Sequence, residues 1–143
     1  MVSIALVKDV MSKDVKVVRP DSRVNEVVTT MNKFDIGSIV IVQDNRPVGI
    51  ITERDILRRV VEPCLAPEAL TASQVMTSPV LVISETTSVD EAAELMTKKK
   101  VKKLPVIREQ KLVGIVTLTD IVTQVPTMLS ALKELLRPYQ GPF

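Results

Sequence analysis

Apolar residues recur along the chain with two alternating periods. Val24, Val27, Val28 and Met31 fall at i, i+3, i+4 and i+7, and so do Val89, Ala92, Ala93 and Met96. That spacing lines up one apolar stripe and predicts an amphipathic helix at each place. Short β-rich runs precede both, Val15-Lys16-Val17-Val18 and Val80-Leu81-Val82-Ile83, with Arg19-Pro20-Asp21-Ser22 and Ser84-Glu85-Thr86-Thr87 as turn and cap. Thr87 with Asp90 is a plausible cap for the second helix. Further strands are expected over residues 38–42 and 48–51, and again over 104–107 and 113–116, split by the polar turns Asp44-Asn45-Arg46 and Glu109-Gln110-Lys111. A last helix is expected over residues 55–61, and its counterpart over roughly 119–124. Each half therefore reads β-α-β-β-α.

The two halves are copies. Residues 10–57 lie on 75–122 without a gap, every position offset by 65. Identical pairs include Met11/Met76, Val24/Val89, Met31/Met96, Gly49/Gly114, Thr52/Thr117 and Asp55/Asp120. Two copies do not make a solenoid; they suggest a pseudo-twofold pair around a shared core. The most informative stretch is Gly49-Ile50-Ile51-Thr52-Glu53-Arg54-Asp55-Ile56, repeated as Gly114-Ile115-Val116-Thr117-Leu118-Thr119-Asp120-Ile121. It reads as a strand entering a helix, with threonine at the N-cap and aspartate three residues on. The helix start also carries unpaired N–H groups and the positive dipole end, which suit an anion. Capping alone would explain Thr-x-x-Asp without any ligand, and the two roles are compatible.

Between the copies, Pro63 and Pro67 interrupt the helical pattern, and a helical turn is expected over 68–70. After Pro126, Met128, Leu129, Leu132, Leu135 and Leu136 line one face of a further helix that must pack on the domain or a partner. The boundaries expected are 7–61 for copy one, 62–71 for a linker, 72–125 for copy two and 126–143 for the C-terminal helix and tail.

Composition narrows the chemistry. With 143 residues, 45% hydrophobic and 25% charged, the chain suits one globular unit. There is no histidine and a single cysteine, Cys64, so a histidine-based metal site or catalytic triad and an internal disulfide are excluded. No nucleophile–base pair is apparent, and an enzyme, a catalytic residue, a metal or a cofactor is not expected. Phe34, Tyr139 and Phe143 are the only aromatics, too few for a base-stacking surface. No apolar run reaches the eighteen or so residues of a membrane span, and the apolar start at Ile4-Ala5-Leu6-Val7 is short for a signal peptide. A cytoplasmic protein without a membrane partner is expected.

The duplicated β-α-β-β-α order, the Val10-Met11 and Val75-Met76 boundaries, Leu104-Pro105-Val106 and the twofold Gly-h-h-Thr-x-x-Asp motif resemble a tandem cystathionine β-synthase (CBS) domain pair, or Bateman module. The resemblance covers about residues 7–125. It implies an α+β fold whose two repeats pack through their sheets, leaving two clefts. It implies a regulatory module for adenosine-containing ligands: AMP, ADP or ATP first, with S-adenosylmethionine or NAD as alternatives. It also implies a homodimer of such pairs and a regulated protein whose identity is open.

By that resemblance, the ribose falls to Asp120 and Asp55, since a carboxylate accepts from two adjacent hydroxyls. The phosphates fall to Thr117, Thr119, Thr52, Arg54, Lys102 and Lys103. The adenine falls to Val15, Lys16, Ile36, Gly37, Ser38 and Ile39 in copy one, and to Val80, Leu81, Val101, Leu104 and Pro105 in copy two. With few aromatics, aliphatic side chains and backbone groups would hold the base. Lys98, Lys99 and Lys100 also read as a solvated helix end, where cations suit the dipole. Copy one has Gly37-Ser38 where copy two has Lys102-Lys103, so the two clefts differ in charge. Two other readings stand beside the sensor: an interaction module with vestigial clefts, and nucleic-acid binding through the lysine cluster at 98–103.

Overall fold

The computed structural model describes residues 5–123 and Pro138. Copy one runs through helix α1 (Val7–Val10), strand β1 (Val17–Val18), helix α2 (Val24–Lys33), strands β2 (Ser38–Gln43) and β3 (Arg46–Thr52) and helix α3 (Glu53–Ile56), which continues as a π-helical turn, Leu57–Val61. A 3₁₀ turn, Pro67–Ala69, leads into copy two: α4 (Ala72–Val75), β4 (Ile83–Ser84), α5 (Val89–Lys99), β5 (Lys103–Arg108), β6 (Lys111–Thr117) and α6 (Leu118–Val122). The C-terminal helix expected after Pro126 lies outside the described residues, as does Gln124 at the end of the expected last helix.

Each copy holds one three-stranded sheet, in the orders β1-β2-β3 and β4-β5-β6. The first strand runs parallel to the second, and the second and third form an antiparallel hairpin. The hairpins turn through Asp44 and Asn45 (φ 53° and 64°) and through Glu109 and Gln110 (φ 51° and 70°). Positive φ at both central residues is the type I′ geometry that matches strand twist. The first strands are shorter than the sequence suggests. Pairing begins at Val17 opposite Val40 and at Ile83 opposite Val106, and the preceding residues leave the sheet. The cap of α5 is also one residue later than expected: Ser88, not Thr87, accepts the Glu91 N–H at 3.1 Å.

The leading segments exchange places. Val7 of α1 packs into the core of copy two, among Ile83, Ala92, Leu104 and Val116. Ala72 and Val75 of α4 pack into the core of copy one, among Val24, Val27, Ile41 and Ile51. Matched backbone bonds seal the exchange: Val89 N–H donates to Ala5 C=O and Val24 N–H to Leu70 C=O, each at 2.9 Å. Ser12 and Ile115 exchange a pair of N–H···O bonds, as do Thr77 and Ile50. Neither copy is a closed unit by itself. The core of each is completed by chain that precedes the other.

Candidate functional site

Glycine allows the close approach that joins the copies. A Cβ on Gly49 would lie 2.3 Å from Met76 Sδ, and one on Gly114 would lie 2.5 Å from Met11 Sδ and 2.8 Å from the Ser12 carbonyl oxygen. Both central hairpins are thereby held against the start of the opposite copy, and a cleft of about 530 Å³ opens beside that contact. Its volume is in the range of small-molecule sites.

Copy two supplies most of the cleft. Pro79, Val80 and Leu81 form one side, where the chain approaches β4 without yet pairing. Lys100, Val101, Lys102, Lys103, Leu104 and Pro105 form another, at the turn from α5 into β5. Gly37, Ser38, Ile50, Thr52 and Thr77 close it from the copy-one side. All five residues assigned to adenine in copy two, and both assigned lysines, are thus brought together. Ile50, Thr77 and Lys100 join them without having been singled out as ligand contacts. Nothing in their local sequence marks Ile50 or Thr77, because their place depends on the contact between copies.

The copy-one assignments are dispersed. Gly37 and Ser38 reach the cleft, but Ile39 is 1% exposed and packs in the core, since strand alternation turns it from Ser38 to the opposite face. Ile36 and Gly37 line a separate groove of about 380 Å³ between α2 and α3, with Met31, Asp35, Glu53 and Leu57. Lys16 is bound to Asp14 at 2.9 Å and lies over the Phe34 ring. Val15 is half-buried beside it. Arg54 and Thr119 are exposed on the first turns of α3 and α6, and neither lines the cleft.

Both Thr-x-x-Asp motifs form reciprocal capping boxes. Thr52 N–H donates to Asp55 Oδ2 at 2.9 Å, and Asp55 N–H to Thr52 Oγ1 at 3.2 Å. Thr117 and Asp120 repeat this at 2.9 and 3.1 Å. The first helical N–H groups are also taken: Glu53 donates to the Gly37 carbonyl and Leu118 to the Lys102 carbonyl. The expected open anion site at each helix start is therefore largely closed by the protein's own acceptors. The reason is geometric, since the turn entering the second strand places a carbonyl across from the helix's first residue.

The second carboxylate oxygens differ. Asp55 is 7% exposed, and its Oδ1 accepts from Thr77 Oγ1 at 3.1 Å with Arg59 3.8 Å away. Asp120 is half-buried, and among the described residues no side chain bonds its second oxygen. Ser12, the counterpart of Thr77, instead bonds the Asp14 N–H. Among the described residues no cluster of three or more histidine, cysteine, aspartate or glutamate side chains could hold a metal ion, and no helix is long and apolar enough to cross a membrane.

Residues 7–62 and 72–126 each match the CBS domain family. The chain belongs to that family. The matches agree with the duplicated motifs and make this a tandem CBS pair, of the kind that serves as a regulatory ligand-binding module. An uncharacterized protein of Methanopyrus kandleri is 35% identical over 136 residues, covering 94% of this chain and 69% of that protein. Hypoxic response protein 1 of Mycobacterium tuberculosis is 31% identical over 120 residues, covering 83% and 84%. A crystal structure of Hypoxic Response Protein I, described with two coordinated zinc ions, superposes with a TM-score of 0.79 at 30% identity, over 85% of this chain and 100% of that one. An uncharacterized conserved protein from Pyrococcus horikoshii gives 0.74 at 30% identity, over 99% of each chain.

Proposed function

We propose that this CBS pair is a sensor, not an enzyme, and that it takes an adenosine-containing ligand in the cleft that copy two dominates. The observation that carries the reading is the composition of that cleft. Its aliphatic wall of Val80, Leu81, Val101, Leu104 and Pro105 suits a flat base, and its lysine rim suits phosphate. Leu118 N–H bonds the carbonyl of the cleft residue Lys102 at 2.8 Å, which ties the start of α6 to the turn that carries the lysine rim. Neither Asp120 nor Asp55 lines the cleft itself, so a ribose would meet one of them at its edge: Asp120 through an oxygen that no described side chain bonds, Asp55 through its contact with the cleft residue Thr77. Asp55, with both oxygens engaged, is the weaker candidate.

Residues from both copies line the cleft, so a ligand there favours one relative packing of the copies. It shifts that packing only as far as it binds one arrangement better. The regulated partner would read the difference. A second copy of the chain is the proposed occupant of the helical face, where Leu57 and Val61 are about 60% exposed next to the α2–α3 groove.

Calorimetry with AMP and ATP tests the ligand reading. Asp120→Ala removes charge-assisted bonds worth roughly 1.5–3 kcal/mol and is expected to weaken binding about ten- to a hundredfold. Asp120→Asn, which keeps an acceptor for the Thr117 N–H, should weaken binding while preserving the fold. Unchanged affinity in both variants would defeat the ribose assignment. Unchanged melting temperature of the wild type with all adenosine ligands would favour the interaction module with vestigial clefts.

A further inference from the structure

We infer that the cleft selects for ligand charge: it discriminates adenosine di- and triphosphates from the monophosphate, and it does so at one site per chain. The inference rests on the adenosine reading above. Lys100, Lys102 and Lys103 all line the cleft, and none of the described residues lining it is acidic. The C-terminus of α5 also points its carbonyl end toward this region, at Lys99 and the left-handed cap Lys100. A helix C-terminus is equivalent to roughly half a negative charge, against three full positive ones, so the lysines prevail. A chain of two or three phosphates carries more negative charge than a single phosphate and reaches further along such a rim, so it gains more from three ammonium groups.

Copy one has no such rim. Asp35, Gly37 and Ser38 occupy the positions of Lys100, Lys102 and Lys103, and Glu53 occupies that of Leu118. Asp35 and Glu53 line the copy-one groove together. Lys16 is a cation in the same copy, and Asp14 already binds it at 2.9 Å. Asp55 has no oxygen to spare, as described above. A polyphosphate therefore meets three cations in the cleft and two carboxylates in the copy-one groove.

Calorimetry of the full chain with adenosine, AMP, ADP and ATP tests this, with Lys102→Gln/Lys103→Gln as the variant. Glutamine removes the charge and keeps a flexible polar side chain, and Lys102 is exposed, so the fold is retained. The wild type is expected to bind ADP and ATP about tenfold or more tighter than AMP at low salt, with one ligand per chain. The gap should narrow as salt screens the rim. In the variant the ATP and AMP affinities should converge, while adenosine is held as before. Equal affinities for AMP and ATP in the wild type, a gap that survives in the variant, or two equivalent sites per chain would overturn the inference and leave the adenosine reading intact. If none of the four compounds binds, the adenosine reading itself fails, and this inference with it.

Discussion

Thr77, at the head of copy two, donates its hydroxyl proton to Asp55 Oδ1 at 3.1 Å and so closes the side-chain network at the end of copy one. The same carboxylate caps Thr52 through its other oxygen. Asp120 shares the cap but has no bond from Ser12, whose hydroxyl oxygen accepts the Asp14 N–H. Two carboxylates at matched positions thus differ in what they hold.

That difference sets unequal costs. Asp55→Ala loses a cap worth about 1 kcal/mol and a charge-assisted bond of about 1.5–3 kcal/mol, leaving the Thr77 hydroxyl without its acceptor. The Arg59 pair, at 3.8 Å with the arginine 44% exposed, adds little. Among the described residues, Asp120→Ala loses only the cap. Urea denaturation should find Asp55→Ala less stable than Asp120→Ala by about 1.5 kcal/mol or more. Equal midpoints would show that the Thr77 bond contributes nothing.

Gly49 and Gly114 are both needed for close packing, yet their neighbours differ in how far they yield. Alanine at Gly49 meets the flexible Met76 side chain, which swings aside at some cost. Alanine at Gly114 also meets the Ser12 carbonyl, which is fixed by its paired bonds with Ile115. Overpacking of this kind costs about 1–3 kcal/mol. Gly114→Ala is expected at the upper end and Gly49→Ala at the lower, measured by thermal or urea unfolding. A reversed order would contradict the packing described here.

The exchanged segments predict where damage spreads. Val7 is fully buried, and burying a valine is worth about 1.5–3 kcal/mol. Val7→Ala should therefore reduce amide protection in β4, β5, β6 and α5, more than in β1–β3, which follow it more closely in sequence. Hydrogen exchange followed residue by residue gives the answer. Losses centred on β1–β3 would mean that each copy completes its own core.

Local chemistry was legible from the residues alone. The 65-residue offset, the helical stripes from Val24 and Val89, the hairpin turns at Asp44-Asn45 and Glu109-Gln110, and the Thr-x-x-Asp caps all depend on residues within a few positions of each other. Periodicity, turn conformation and capping are short-range effects, so one strand of text carries them. The aliphatic residues assigned to a copy-two ligand, with Lys102 and Lys103, came from the family resemblance, which points to two short runs, and both runs line the cleft.

Contacts between the copies were not. Pseudo-symmetry made Asp55 and Asp120 look equivalent, and only packing gave Asp55 to Thr77. Val7 and Ala72 read as the openings of their own repeats, and only the tertiary structure sent each into the opposite core. Ile50 joined the cleft by the same cause, whereas Ile39 left it by the alternation of β2. Pattern fixes which face of an element is apolar; which partner covers that face is decided by long-range burial, where two near-identical cores compete for two near-identical segments.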